Sequence, residues 1–238
     1  MQNRREQLNV DLFTLLQKLP DIGKLMVNSK NLGATHERIG TVERVYFANG
    51  RIAITGAEHH SSLDPFVVTQ IIIDRTSIMR DKCYPRIDML DKDSEVVASV
   101  IGFDGIEPFD AALAEFGAGT ALEEKVKDET AAERKEIRED DSGLKPFKQA
   151  ETDKADIRIE LDLPHFHQQW QGTMPEIRST MGFINVMVSD FHLHLKGDSV
   201  DSWQQQETHE GTSYAAYNAA QKPLGLVVTL LKQDGVAA

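Results

Sequence analysis

The stretch from residue 42 to residue 55 decides the fold, and it reads Val42-Glu43-Arg44-Val45-Tyr46-Phe47-Ala48-Asn49-Gly50-Arg51-Ile52-Ala53-Ile54-Thr55. Its apolar and β-branched residues are typical of two short strands. The Asn-Gly pair between them tolerates the positive φ angles that a two-residue hairpin turn requires. We therefore predict a β-hairpin with strands at 42–48 and 51–55.

Other short strands follow this hairpin along the chain. Residues 66–73 are rich in β-branched side chains, and 87–90 and 95–101 flank a polar turn at 91–94. Helical patterns at 8–19 and 107–116 precede and follow these strands. This order predicts an α+β fold with a large antiparallel β-sheet flanked by helices, and it leaves room for a second, smaller sheet or repeat.

The C-terminal half is less regular. Residues 157–163 and 191–195 alternate between apolar and polar, which predicts strands, and a helix holding Trp170, Met174 and Ile177 is expected after Pro164. Residues 224–231 fit a strand or a helix. We expect a helix and antiparallel-sheet domain at 1–118, an acidic linker or solvated helix at 119–154, and a C-terminal α/β segment at 155–238 that packs on or pairs with the first.

Composition narrows the functional classes. The chain has 238 residues, 40% of them hydrophobic, and a formal net charge of −12, which argues against nucleic-acid binding and against docking on anionic lipid. No apolar run approaches the roughly 18 residues of a membrane span, and we expect neither membrane insertion nor a secretory signal. The single cysteine, Cys83, excludes an intramolecular disulfide and favours a cytoplasmic location. The expected partner is a small molecule or another protein.

The order of several segments resembles the HemS/ChuX/HutX-like heme-utilisation family. The matching segments are Met26 to Asn31, Thr35 to Gly40, the hairpin at Gly50 to Gly56, Leu63-Asp64-Pro65-Phe66, the turn at Leu90 to Ser94, and Gln169 to Met174. The resemblance implies heme held in a cleft against a large antiparallel sheet, and a dimer or an internal duplication. It also implies an intracellular role in heme uptake, transport or utilisation, and it leaves open whether heme is degraded.

The resemblance makes several residues candidates for holding heme. The family places its iron-binding histidine just before a Thr/Ser-Gly pair; Ile52 to Gly56 contains none, but His59 and His60 follow directly. Tyr84, beside Cys83, and His36 are further candidate ligands, because iron accepts imidazole, phenolate or thiolate. Arg75, Arg80 and Arg86 can bind the propionates. The alternatives are exposed loop histidines, a structural His36, and arginines paired with Asp74, Asp81 or Asp88.

A second set of histidines suggests a metal site. His165 and His167 form one His-x-His pair, and His192 and His194 form another. Residues two apart in a strand point to the same face, so each pair can chelate one ion, and four imidazoles would suit zinc or nickel. The alternative is that these positions simply face solvent.

Three functions are therefore compatible with the sequence. The first is an intracellular heme-binding protein, and the second is a divergent protein of the same fold that binds another small ligand or a protein. The third is a histidine-based divalent metal site. The sequence lacks Gly-x-Gly-x-x-Gly, a phosphate-binding loop and Gly-x-Ser-x-Gly, so no enzyme class is assigned.

Overall fold

The computed structural model describes residues 4–124 and 136–232. The chain separates into two compact units. The N-terminal unit comprises Met1–Ser29, Glu37–Glu129 and Pro164–Phe166, and the C-terminal unit comprises Lys30–His36, Thr130–Leu163 and His167–Ala238. The division into 1–118, 119–154 and 155–238 remains a prediction about domain organisation.

Short strands dominate the first half of the chain. They are β1 (Arg5–Leu8), β2 (Lys24–Asn31), β3 (Ala34–Thr41), β4 (Arg44–Ala48), β5 (Arg51–Thr55), β6 (His60–Leu63), β7 (Gln70–Asp74), β8 (Ile78–Met79), β9 (Lys82–Cys83), β10 (Arg86–Leu90), β11 (Val96–Gly102) and β12 (Thr120–Ala121). Two α-helices accompany them, α1 (Leu12–Leu16) and α2 (Ile106–Leu113). Single 3-10 turns lie at Leu19–Asp21, Pro65–Val67 and Ala114–Phe116.

An antiparallel sheet forms the centre of the N-terminal unit, in the order β12-β1-β7-β10-β11-β2. Strands β7 and β10 are buried along most of their length, as their runs of apolar residues lead us to expect. Helix α2 places the fully buried Phe109 beside Gly102 at the end of β11, where a Cβ atom would lie only 3.2 Å from the phenyl ring. Glycine at this position therefore lets the helix approach the sheet.

The predicted hairpin at 42–55 is confirmed. Strands β4 and β5 pair antiparallel with Val45 opposite Ile54, and β6 continues the meander by pairing with β5. Asn49 and Gly50 have φ angles of 51° and 77°, as a two-residue hairpin turn requires. The hairpin of 87–90 and 95–101 is confirmed as well, by β10 and β11.

The second half of the chain contains one α-helix, α3 (Lys145–Asp153), and eight strands among its described residues. The strands are β13 (Asp156–Asp162), β14 (Phe166–Thr173), β15 (Ile177–Thr180), β16 (Phe183–Val188), β17 (Phe191–Lys196), β18 (Ser202–Glu207), β19 (Gly211–Tyr217) and β20 (Pro223–Leu231). In the C-terminal unit, β18-β19-β20-β13-β14 form one antiparallel series, and β15-β16-β17 form a separate meander. The prediction of an antiparallel, sheet-dominated fold is confirmed, whereas the described helices are fewer and shorter than predicted.

The predicted helix after Pro164 is wrong, because this region forms β14, β15 and β16. Phe166, Gln168 and Trp170 are buried and alternate with half-buried His167 and Gln169, which is the period of a strand. The Trp170 ring lies over Gly172, where a Cβ atom would be 2.6 Å from the indole. The glycine that interrupts the helical pattern thus makes room for a strand side chain.

Two other boundaries differ from the predictions. The apolar residues at 8–19 divide between the end of β1, the short helix α1 and the turn at Leu19–Asp21. The strand predicted at 66–73 begins only at Gln70, because Asp64 caps a 3-10 turn by accepting a hydrogen bond from the Phe66 amide at 2.9 Å.

The predicted acidic segment at 119–154 is described only in part, since 125–135 lie outside the described residues. Its C-terminal portion forms α3, whose Phe147 is fully buried and meets Trp203 edge-to-face at 6.3 Å between ring centroids. The Trp203 indole donates a hydrogen bond to the Ser142 carbonyl at 2.7 Å. This portion is therefore anchored in the C-terminal unit. Among the described residues, no helix has the length and apolarity needed to cross a membrane.

Candidate functional site

A cavity of about 450 Å³ opens in the N-terminal unit. Its walls come from the start of α1, the β4–β5 hairpin and the segment leading into β7, and they include Leu8, Phe13, Phe47, Ile52, Phe66 and Ile71. The volume falls within the range of about 300–1,000 Å³ that is usual for small-ligand pockets. Phe47 and Phe66 are 51% and 82% exposed, so aromatic surface is available to a ligand at the mouth.

The electrostatic character of this cavity is weakly acidic. Among its described lining residues, only Asp11 is charged, and none is a histidine, cysteine, tyrosine, methionine, lysine or arginine. Asp11 caps α1 by accepting hydrogen bonds from the amide and hydroxyl of Thr14, both at 2.8 Å, and these bonds lower the pKa of its carboxyl. Most of the lining side chains are apolar, while polar atoms contribute about half of the exposed surface. The described lining offers no histidine, tyrosine, cysteine or methionine to iron.

His59 is the most unusual of the candidate heme ligands. It lies between β5 and β6, where its backbone exchanges hydrogen bonds with Gly56, and only 1% of the residue is exposed. The Gly40 backbone lies beside the ring, but within the described part of the chain neither ring nitrogen makes a hydrogen bond of good geometry. Burial lowers the pKa of His59, so the ring is held neutral near pH 7. A buried, neutral imidazole without a well-formed hydrogen bond is uncommon in folded proteins and requires an explanation.

His60, Arg80 and Tyr84 lie at or near the surface of the same unit. His60 opens β6 and is exposed, and Arg80 is exposed at the tip of the β8–β9 hairpin. Tyr84 is half-buried and meets Phe103 edge-to-face at 5.9 Å. The neighbouring Cys83 is a protonated thiol at neutral pH, because burial, followed by the charge of Asp110, raises its pKa further.

Arg75 is held in a buried network of ion pairs. Its Nη1 donates to Glu6 and its Nε donates to Asp110, each at 2.7 Å, and its backbone amide donates to the Arg4 carbonyl at 2.7 Å. The side chains of Arg75 and Glu6 are only 6% and 2% exposed. Arg75 thus connects β1, the end of β7 and α2, which is a structural arrangement.

Arg86 is also engaged by a carboxylate. Its Nε donates to Asp88 at 2.7 Å, and its guanidinium donates to the Ser99 hydroxyl at 2.9 Å. Ser99 in turn donates to Asp88 at 2.6 Å. Of the three predicted propionate-binding arginines, Arg80 is the exposed one, whereas Arg75 and Arg86 are bonded to acidic side chains.

His36 lies in the C-terminal unit and is fully buried. Its Nδ1 is hydrogen-bonded to the Gln168 side chain at 2.8 Å, and its Nε2 to the Ile159 carbonyl at 3.1 Å. The ring packs on Phe191 at 4.8 Å between centroids, and Phe191 stacks on Trp170 at 4.7 Å with nearly parallel planes. Both ring nitrogens are used, which favours the structural role for His36.

The four histidines of the predicted metal set are not equivalent. His165 belongs to the N-terminal unit, where burial lowers its pKa, and its carbonyl accepts from the Asp64 amide. His167 on β14 is hydrogen-bonded through Nε2 to Glu160 at 3.3 Å. His192 and His194 share one face of β17, with ring centroids 5.8 Å apart. The structure therefore brings together the pair that alternates along β17.

Asn185 is a residue that sequence reasoning missed. Its Oδ1 lies 2.6 Å from Nδ1 of His194, because β16 and β17 place these residues directly opposite one another. A hairpin turn at Ser189-Asp190 between the two strands would have predicted this pairing, since the turn fixes the register. The cavity was missed too, because its walls come from segments far apart in the sequence.

Comparisons with known proteins concern the fold. The chain is similar to PhuS, a heme-binding protein from Pseudomonas aeruginosa, with 16% identity and a TM-score of 0.72 over 97% of this chain and 82% of that one. It is also similar to ChuS, a heme-degrading enzyme of Escherichia coli O157:H7, with 15% identity and a TM-score of 0.75 over 98% and 83% of the respective chains. No protein-family model matches the sequence, and no curated protein does.

These similarities confirm that the chain shares the fold of structurally known heme-utilisation proteins. The alignments cover nearly the whole chain, so the likeness includes both halves. At identities this low the likeness concerns architecture, and function has to be argued from the sites.

Proposed function

We propose that this protein binds heme and acts in heme uptake, transport or utilisation. The supporting observation is the fold, which is shared over 97–98% of the chain with the heme-binding protein PhuS, in its apo and holo structures, and with the heme-degrading enzyme ChuS. The segment order in the sequence points to the same family. Fold alone does not carry function, so the residues present have to meet the chemical requirements of heme.

Heme requires an iron ligand, an apolar surface and cations for the propionates. His59 supplies the ligand chemistry, because its imidazole is neutral and neither nitrogen makes a well-formed hydrogen bond among the described residues. Since only 1% of His59 is exposed, heme binding at this residue requires the connection between β5 and β6 to move. Arg80 is the arginine assigned to a propionate, because it is exposed, whereas Arg75 and Arg86 hold carboxylates.

The direct test is a titration with hemin, followed by visible absorption. We expect a sharpened, saturable Soret band that reaches its plateau at equimolar hemin. Protoporphyrin IX, which has the same ring and propionates without iron, serves as the control for apolar binding. A linear, unsaturated increase in absorbance with hemin would overturn the proposal.

Neighbouring histidines provide a matched pair of variants for the ligand. His59→Ala should broaden the Soret band and weaken hemin binding at least tenfold, because it removes the imidazole. His60→Ala, one residue away but exposed, should bind hemin as the native chain does. Native-like spectra in His59→Ala would refute the assignment of His59, and the same titration of Tyr84→Phe would then test the phenolate as the ligand.

The cavity favours a second candidate function, the binding of a small apolar molecule without iron. Most of its lining side chains are apolar or aromatic, and its one charged described residue is the anionic Asp11, which disfavours propionates. Nile red, a neutral apolar fluorophore, should bind the native chain and lose binding in Val68→Trp, which fills the cavity. Unchanged Nile red binding in Val68→Trp would refute this second function. An unchanged hemin titration of Val68→Trp would show that heme binds elsewhere than in this cavity.

Location and assembly are part of the proposal. We infer a cytoplasmic role from the free, protonated Cys83 and from the acidic composition.

A homodimer is the assembly that the family resemblance implies as an alternative to duplication. Light scattering distinguishes a 26.6 kDa monomer from a particle of twice that mass, and the monomer mass would refute the dimer.

A further inference from the structure

One face of the β16–β17 hairpin in the C-terminal unit gathers side chains that the heme proposal does not use. By strand alternation and antiparallel register this face carries Phe183, Asn185, Met187, His192, His194 and Lys196. His192 and His194 are half-buried, and Met187 is 42% exposed. Both imidazoles are thus accessible to a small ion from solvent.

The two imidazoles are close enough to share one ion. Their ring centroids are 5.8 Å apart, and their ligand nitrogens lie within 4.8 Å of each other. Two imidazole nitrogens on a tetrahedral ion are about 3.4 Å apart, given metal–nitrogen bonds of about 2.0–2.1 Å. Rotation of the two side chains would bring one nitrogen of each ring to this chelating distance.

Asn185 prepares His194 for this role. The Asn185 amide nitrogen donates to the carbonyls of Arg178 and Phe183, each at 2.9 Å, which fixes the orientation of the amide. Its Oδ1 therefore faces Nδ1 of His194 at 2.6 Å and accepts the proton on that nitrogen. The lone pair of His194 is consequently on Nε2. Metal-binding histidines are characteristically held in this way by an acceptor on the other nitrogen.

We propose that His192 and His194 form a binding site for a late first-row divalent cation, with Asn185 as the positioning residue. Imidazole selects copper, nickel and zinc over hard cations, so affinity should follow Cu²⁺ above Ni²⁺ and Zn²⁺, with Mg²⁺ excluded. The strand pair contributes two imidazole nitrogens to the coordination. His167 takes no part, since its Nε2 is hydrogen-bonded to Glu160. This inference is independent of heme binding.

Equilibrium dialysis of the full, tag-free chain against Cu²⁺, Ni²⁺, Zn²⁺ and Mg²⁺ tests the proposal. We expect equimolar binding in the stated order and at least a tenfold loss of affinity in His192→Ala and in His194→Ala. His209→Ala is the matched control, because His209 is an exposed histidine of the same unit and should bind metal as the native chain does. Equal loss in His209→Ala, or native affinity in the double variant lacking His192 and His194, would overturn the proposal.

A spectroscopic measurement on the native chain does not depend on whether the variants fold. Electron paramagnetic resonance of the Cu²⁺-loaded protein should show superhyperfine splitting from two nitrogen ligands. Asn185→Ala should weaken Cu²⁺ binding by about 10–100-fold, and Asn185→Asp, which keeps the acceptor oxygen, should restore it. A signal without nitrogen splitting, or binding as tight in Asn185→Ala as in the native chain, would contradict the geometry. Hemin titration of His192→Ala should remain native.

Discussion

Replacing Arg75 by methionine tests whether this arginine stabilises the fold or binds a heme propionate. The side chain is 6% exposed and forms ion pairs of 2.7 Å with both Glu6 and Asp110. Its removal leaves Glu6, which is 2% exposed, with the Gly119 amide at 2.9 Å as a hydrogen-bond donor but without the positive charge. Breaking a buried pair from one side costs about 3–5 kcal/mol, and we expect Arg75→Met to lower the free energy of unfolding by that amount.

Urea unfolding followed by circular dichroism measures this change. The exposed Arg80→Met is the control, and its free energy of unfolding should stay within about 0.5 kcal/mol of the native value. Adding Glu6→Gln to Arg75→Met should recover part of the loss, because the uncompensated carboxylate is then removed. A cost below about 1 kcal/mol for Arg75→Met, together with loss of hemin binding in the folded variant, would refute the structural role.

Two further predictions concern buried rings. The folded-state pKa of His59 lies below its ordinary value of 6.5. The contribution of His59 to the free energy of unfolding is therefore complete above pH 6.5 and is lost as the pH falls through the folded-state pKa. The slope of this loss is at most about 1.4 kcal/mol per pH unit. The unfolding free energy of His59→Leu, measured in urea between about pH 5 and pH 8, should therefore fall less steeply than that of the native chain, and identical slopes would contradict the neutral imidazole. Phe191→Ala should cost about 3–5 kcal/mol because the fully buried ring stacks on Trp170 and His36. In the same urea series Phe66→Ala, at a ring that is 82% exposed, should change stability by less than about 0.5 kcal/mol, and equal losses in the two variants would show that the stack is not formed.

Local sequence signals predicted the elements that are determined locally. Asn49-Gly50 specified a hairpin because the turn geometry depends on those two residues, and 91–94 did the same for β10 and β11. The strands after Pro164 were wrongly predicted as a helix because Gly172 and Pro175 interrupt the alternation of buried and half-buried residues. The reason for Gly172 lies in the structure, where the Trp170 ring packs over this glycine.

The candidate sites depend on contacts that no local pattern contains. Arg75 and Glu6 are 69 residues apart in the sequence, so their ion pair follows from the antiparallel pairing of β1 with β7. The predicted face shared by His192 and His194 needed only strand alternation, and the structure has it. The burial of His59 could not be predicted, because two histidines adjacent in sequence, His59 and His60, divide between the interior and the surface.

Heme content of the protein as it is made in cells tests the heme-binding claim most directly. The tag-free chain would be isolated from cells supplied with a heme precursor, and its heme would be measured by the pyridine hemochrome assay. We predict heme in near-equimolar amount to protein for the native chain and much less for His59→Ala. A native chain that is folded and emerges without heme would contradict the account.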